Sequence, residues 1–245
     1  MFFRRKAILL VHGFVGGIYD FDDLPNELEL DPKYDVYAIT LPGHERTIVS
    51  GVKYQEWIKK AEDQMEYLIN HNYRKIYVIG HSMGGVIAAH LASKYPQVKK
   101  LVLAAPAYRY FYFTDGKVNI KKISETIKNV PSLLKTFGRE KVLDRIIKTP
   151  IPTVIEFTKL VSEYQNDIKN VTCPILTIHG LDDKVVPVEA TNFVYENNKS
   201  TTNILVNIAK VNHECFLCER KNDINTIIIS FLKQHPRNQK ETIDM

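Results

Sequence analysis

Residues 75–91 read KIYVIGHSMGGVIAAHL and constrain the fold more tightly than any other stretch of the chain. A run rich in β-formers enters Gly80-His81-Ser82-Met83-Gly84-Gly85, and an alanine-rich helical segment follows at once. The pattern is G-x-S-x-G in the setting it requires: strand, sharp turn, helix. The glycines have a steric reason. A serine on so tight a turn leaves no room for side chains two residues away on either side, and Gly80 and Gly84 supply none. The hydroxyl of Ser82 is then presented above a sheet edge, at a helix N-terminus whose dipole favours negative charge.

The remainder of the chain alternates in the same way. Short continuous apolar runs fall at 7–11, 36–40, 76–79, 101–105, 175–178 and 204–208. Being continuous rather than alternating, they suit strands buried on both faces of a parallel sheet. Between them lie segments of helical period. Residues 54–69 place Trp57, Ile58, Ala61, Met65, Leu68 and Ile69 on one stripe, 86–95 stop at Pro96, and 224–232 form a last helix. The expected class is α/β, a mainly parallel central sheet flanked by helices. The alternation breaks between about 107 and 170, where helix-like runs at 120–128 and 140–148 are punctuated by Pro131, Pro150 and Pro152, with no convincing strand. The chain therefore divides into a core of 1–106 and 171–245 and a helical insertion at 107–170. The tail from His235 onward is polar and is expected to fray.

A serine hydroxyl is a poor nucleophile near neutral pH and needs a histidine base, itself oriented by a carboxylate. In this arrangement the chain order is Ser, acid, His. The run at 175–178 leads into His179-Gly180-Leu181-Asp182-Asp183, so two adjacent acids stand just past a strand. The run at 204–208 leads to Val211-Asn212-His213, which places His213 between the last strand of the alternation and the last helix. His44, His71, His90, His179 and His235 lack that placement, and the side chain of His81 is expected to point away from the reacting centre. Acyl transfer also needs donors for a developing oxyanion. These are the backbone amide of Met83, after the serine, and an amide from the loop after the first strand, His12-Gly13-Phe14-Val15-Gly16-Gly17, with Phe14 the candidate.

Composition bounds the alternatives. A chain of 245 residues with 44% hydrophobic and 25% charged residues can bury a full core. The net charge of +5 comes from 33 basic and 28 acidic residues without a dense basic block, so nucleic acid is not an expected partner. Three cysteines do not make a secreted disulfide framework. Cys215 and Cys218 form a lone C-x-x-C pair without the further ligands a zinc site needs. No metal or other cofactor is expected. The apolar run after Arg4-Arg5-Lys6 ends at His12, too short for a signal peptide, and nothing approaches transmembrane length. The expectation is a cytoplasmic protein without stable membrane insertion.

The segments Leu9-Leu10-Val11-His12-Gly13-Phe14, Leu41-Pro42-Gly43-His44, Gly80-His81-Ser82-Met83-Gly84-Gly85, His179-Gly180 with Asp183, and His213 occur in order. In these the chain resembles the α/β-hydrolase superfamily, and most of all its small bacterial carboxylesterases and monoacylglycerol lipases, over nearly its whole length. The resemblance implies the α/β-hydrolase fold with a helical cap at 107–170. It selects Asp183 over Asp182, because the family pattern G-x-x-D-x-V-V-P lands on Asp183. It also implies ester hydrolysis by Ser82, Asp183 and His213, with the amides of Phe14 and Met83 as oxyanion hole and a small acyl ester as substrate. The aromatic run at 108–113 either walls an acyl pocket or packs the cap onto the body. The same triad serves thioesterases, amidases and carbon–carbon bond hydrolases, and a hydrolase-like ligand-binding protein of low turnover is the reading from another class.

Overall fold

The computed structural model describes residues 5–45, 48–108, 113–114, 117–118, 145, 148–235 and 237–245. Its centre is a seven-stranded sheet in which every pairing is parallel. The strands are β1 (Lys6–Val11), β2 (Tyr34–Ile39), β3 (Ile76–His81), β4 (Val98–Ala104), β7 (Ile175–Gly180), β8 (Thr202–Ile208) and β9 (Gln239–Asp244), while β5 (Phe113–Thr114) and β6 (Lys117–Val118) form a separate antiparallel pair. The order across the sheet is β2-β1-β3-β4-β7-β8-β9. The apolar runs of β1, β3 and β7 are buried at nearly every position, which is why they read as continuous rather than alternating.

The helices are α1 (Leu24–Glu29), α2 (Tyr54–Asn70), α3 (Met83–Lys94), α4 (Ile151–Tyr164), α5 (Val188–Glu196) and α6 (Lys221–Lys233). They cover both faces. One apolar layer joins α2, α3, α4 and α5 to the sheet through Trp57, Met65, Ile87, Leu160 and Val194, and the other joins α1 and α6 through Leu24, Leu28, Ile224 and Ile228. Residues 83–91 of α3 are buried without exception, so the helix behind Ser82 is the most enclosed of the described helices.

The structure departs from the sequence expectation in three places. The polar tail pairs as the edge strand β9, in register with β8 from Thr202↔Gln239 to Asn207↔Asp244. Its side chains stay exposed, and the backbone ladder, closed by Met245 N–H to Asn207 C=O at 2.9 Å, holds it. Second, Pro150 and Pro152 do not break structure but open α4, where a missing N–H costs nothing. Third, the β5/β6 ladder falls within 107–170, where no strand was expected, and it is too short to show a periodicity. The helix-like runs at 120–128 and 140–148 lie outside the described residues apart from Arg145 and Lys148.

The segment after α4 is fastened to the body at His90 on α3. Its ring bonds Asp167 at 2.6 Å, in the 3-10 turn after α4, and Glu62 of α2 at 2.9 Å.

Candidate active site

The strands that matter most, β1, β3, β7 and β8, end on the same sheet edge, and their C-terminal loops converge there, as ligand sites in open α/β sheets do. Ser82 follows β3 with φ 53° and ψ −119°, a left-handed conformation rare for a side-chain-bearing residue. Three backbone bonds hold it: Ser82 N–H to Ala104 C=O at 2.9 Å, and its own carbonyl to the amides of Gly85 and Ala107 at 2.9 and 3.0 Å. The flanking glycines are obligatory. A Cβ on Gly80 would stand 2.3 Å from the Gly84 carbonyl oxygen, and one on Gly84 would stand 2.0 Å from that of Val11. Both obstacles are backbone and cannot swing away. Gly84→Ala is therefore expected to destabilise the fold by at least about 1–3 kcal/mol, read as a lowered Tm in thermal unfolding.

Ser82, Asp183 and His213 meet. The Ser82 hydroxyl lies 3.0 Å from His213 Nε2, and His213 Nδ1 lies 2.8 Å from Asp183 Oδ2. The Asp183 side chain is wholly buried. Its other oxygen accepts the amides of Val185 and Val186 at 2.8 and 2.9 Å. Burial alone would raise its carboxyl, but the charge and hydrogen bond of His213 and the two valine amides outweigh that and hold it below the usual carboxylate range. Asp182 is exposed and engages the body through its backbone N–H to Val211 C=O.

Phe14 lines the cleft that holds Ser82, Met83 follows the serine in the chain, and among the described residues neither backbone amide donates to a protein acceptor. The Phe14 ring stacks on Phe157 of α4 at 4.8 Å and meets Trp57 edge-on at 6.0 Å, so α4 seats directly over the loop after β1.

Sequence reasoning passed over three histidines that brace this arrangement. Contrary to expectation, His81 does not point away. Its ring lies 5.1 Å from that of His213, and its Nε2–H donates to the His213 carbonyl at 2.9 Å. Burial pushes it down to about 4, so it is a neutral strut. His12, pushed down to about 3 by burial, accepts the Leu41 amide at 3.0 Å. His44 accepts the Val15 amide at 3.3 Å. Each bond joins residues 29 to 132 positions apart, so no local pattern announces them.

Asp20 was also missed, and it lines the cleft beside Ser82 and His213. Cys215 and Cys218 are free thiols, and burial raises both, which is the opposite of a reactive redox pair. Among the described residues no cluster of three or more His, Cys, Asp or Glu is arranged for a metal ion, and no helix is long and apolar enough to cross a membrane.

An elbow serine, a buried carboxylate and a histidine from the ends of β3, β7 and β8 of one parallel sheet define the class: a hydrolase of the α/β-hydrolase fold. Residues 4–221 match the family model described as serine aminopeptidase, S33 (Hydrolase_4), and the chain belongs to that family. It is similar to a carboxylesterase of Bacillus subtilis, 23% identical with 94% of this chain and 93% of that protein covered. It is also similar to a thermostable monoacylglycerol lipase of a Bacillus species, 24% identical over 84% and 82% of the two chains. Among solved structures, one from work on the metagenome-derived lipolytic enzymes LipS and LipT superposes with a TM-score of 0.72 at 18% identity, covering 94% of each chain.

Proposed function

We propose that the chain hydrolyses carboxylic esters of short to medium acyl chains, monoacylglycerols included, through an acyl-enzyme on Ser82. The observation that carries this reading is the continuous relay from Ser82 Oγ through His213 to Asp183, beside two unengaged amides. Ser82 Oγ attacks the acyl carbon as its proton passes to His213 Nε2. The amides of Phe14 and Met83 hold the oxyanion. As the tetrahedral species collapses, His213 protonates the departing alcohol, and water then repeats the sequence to release the acid. Asp183 stays ionised and keeps the Nδ1–H tautomer of His213 in place. The names of the carboxylesterase and monoacylglycerol lipase relatives favour an ester over a thioester.

Residues 107–170 are assigned as a cap over a core of 1–106 and 171–245, supported by the seating of Phe157 on Phe14. The free thiols suit a reducing, cytoplasmic setting.

The test is hydrolysis of 4-nitrophenyl esters from acetyl to long chain. Turnover with an optimum at short or medium acyl length is expected. An enzyme that ignores every ester but cleaves aminoacyl 4-nitroanilides would overturn the reading in favour of amide hydrolysis, the second reading, which the family's description as a serine aminopeptidase favours.

A further inference from the structure

We propose that Asp20 is a positioning residue of the oxyanion loop, clasping residues 13–17 so that the Phe14 amide is aimed at the acyl oxygen; this rests on the ester-hydrolase reading of Ser82. The loop carries three glycines and no regular structure, so its shape must be imposed from outside. Its central residue, Val15, sits at φ 55°, a strained conformation for a β-branched side chain that persists only where neighbours dictate it. Two side chains do so. His44 takes the Val15 amide, and Asp20 Oδ2 takes the Gly17 amide at 3.2 Å while its own N–H returns a bond to the Gly17 carbonyl at 3.0 Å. The same carboxylate lies against Gly16, where a Cβ would come within 1.7 Å of Oδ2. Phe14 thus lies in a turn, closed by Gly16 N–H to Gly13 C=O at 3.3 Å, that is tied down immediately on its far side.

A surface cap of the 3-10 turn Ile18–Phe21 would explain the Gly17 bond but not the location. Asp20 is 8% exposed and faces the cleft that holds Ser82 and His213. The Arg145 guanidinium stands 3.7 Å from Oδ1 and packs over the Tyr19 ring. Burial, the largest influence, pushes its carboxyl up to about 6 despite the Gly17 amide and Arg145. A desolvated carboxylate is an expensive way to close a turn, and its use beside the nucleophile points to geometry rather than stability.

The experiment compares wild type, Asp20→Ala and Asp20→Asn by the rate at which a fluorophosphonate labels Ser82, with kcat and KM on a 4-nitrophenyl ester and Tm alongside. Phosphonylation builds charge on the same oxygen position and needs no knowledge of the natural substrate. Asp20→Ala is expected to slow labelling and kcat on the order of 10–100-fold, as small misplacements of catalytic groups do, with KM within about twofold. Asp20→Asn, whose amide oxygen still accepts the Gly17 N–H, should recover most of the loss. Labelling of Asp20→Ala at the wild-type rate, or a lowered Tm without slowed labelling, overturns the inference and leaves the ester reading standing. An Asn variant as slow as the Ala variant overturns it too. A wild type that is not labelled at all overturns the ester reading and this inference with it.

Discussion

Ser82→Ala is expected to lower kcat on ester substrates on the order of 10⁴–10⁶-fold while leaving the fold intact. Both halves follow from the elbow. On the proposed mechanism the hydroxyl is the group that bonds with the acyl carbon, and it stands 3.0 Å from His213 Nε2. In that mechanism its loss would remove the covalent route and leave the amides of Phe14 and Met83 to polarise a carbonyl for attack by water. That remainder is worth roughly 10³–10⁴ over the uncatalysed reaction in other triad enzymes. The fold is indifferent because the side chain does not cap α3, and the strained backbone is held by main-chain bonds that alanine keeps. Steady-state kinetics, fluorophosphonate labelling and thermal unfolding check this together. Retention of more than about a hundredth of the wild-type rate, with unchanged Tm, would transfer the nucleophile's role elsewhere.

The elbow was legible because part of its requirement is local: a Cβ at 80 would meet the Gly84 carbonyl across the turn itself, whereas one at 84 would meet Val11 at the end of the neighbouring strand β1. The choice between two adjacent aspartates has a similar basis. The Val-Val two and three residues after Asp183 supplies the amides that bind its Oδ1, so the spacing in the sequence pattern is a hydrogen-bond geometry. What escaped was of two kinds. Some elements have weak periodicity or misleading punctuation. The strand β9 is polar because it sits at an edge, and α4 opens with prolines that read as breakers when they are starters. Other features are long-range polar bonds. His12, His44, His81 and Asp20 are ordinary polar residues at strand ends and turns until the fold buries them, and burial is what makes each bond matter.

The second large effect separates neighbours. Asp183→Asn is expected to lower kcat on the order of 10⁴-fold, by the tautomer argument established for triad acids, and Asp182→Asn to leave it within about twofold, as surface changes do. An asparagine at 183 has one oxygen and one amide nitrogen where the carboxylate had two acceptors. Two orientations are open to it. If the nitrogen faced Val185 and Val186, it would set donors against two amides now bonded at 2.8 and 2.9 Å. The favoured orientation keeps the oxygen there and turns the nitrogen toward His213. That nitrogen can only donate, so Nδ1 must give up its proton to become the acceptor, and the proton moves to Nε2. Nε2 then has no lone pair for the Ser82 hydroxyl, and the relay is intact in shape but reversed in polarity. Folding should survive, because one side chain replaces another of equal size and only one bond is exchanged. The pH dependence of stability should change in a defined direction. The depressed carboxyl of Asp183 contributes stability that is present above the ordinary aspartate range and lost as pH falls through its folded value, so Asp183→Asn removes that component and flattens the acid side of the unfolding profile. Asp182 has an exposed side chain and a backbone bond that the substitution does not touch. Parallel kcat measurements on the two variants decide the assignment: loss at 182 with retention at 183 would mean that His213 is oriented by a different carboxylate in the working enzyme.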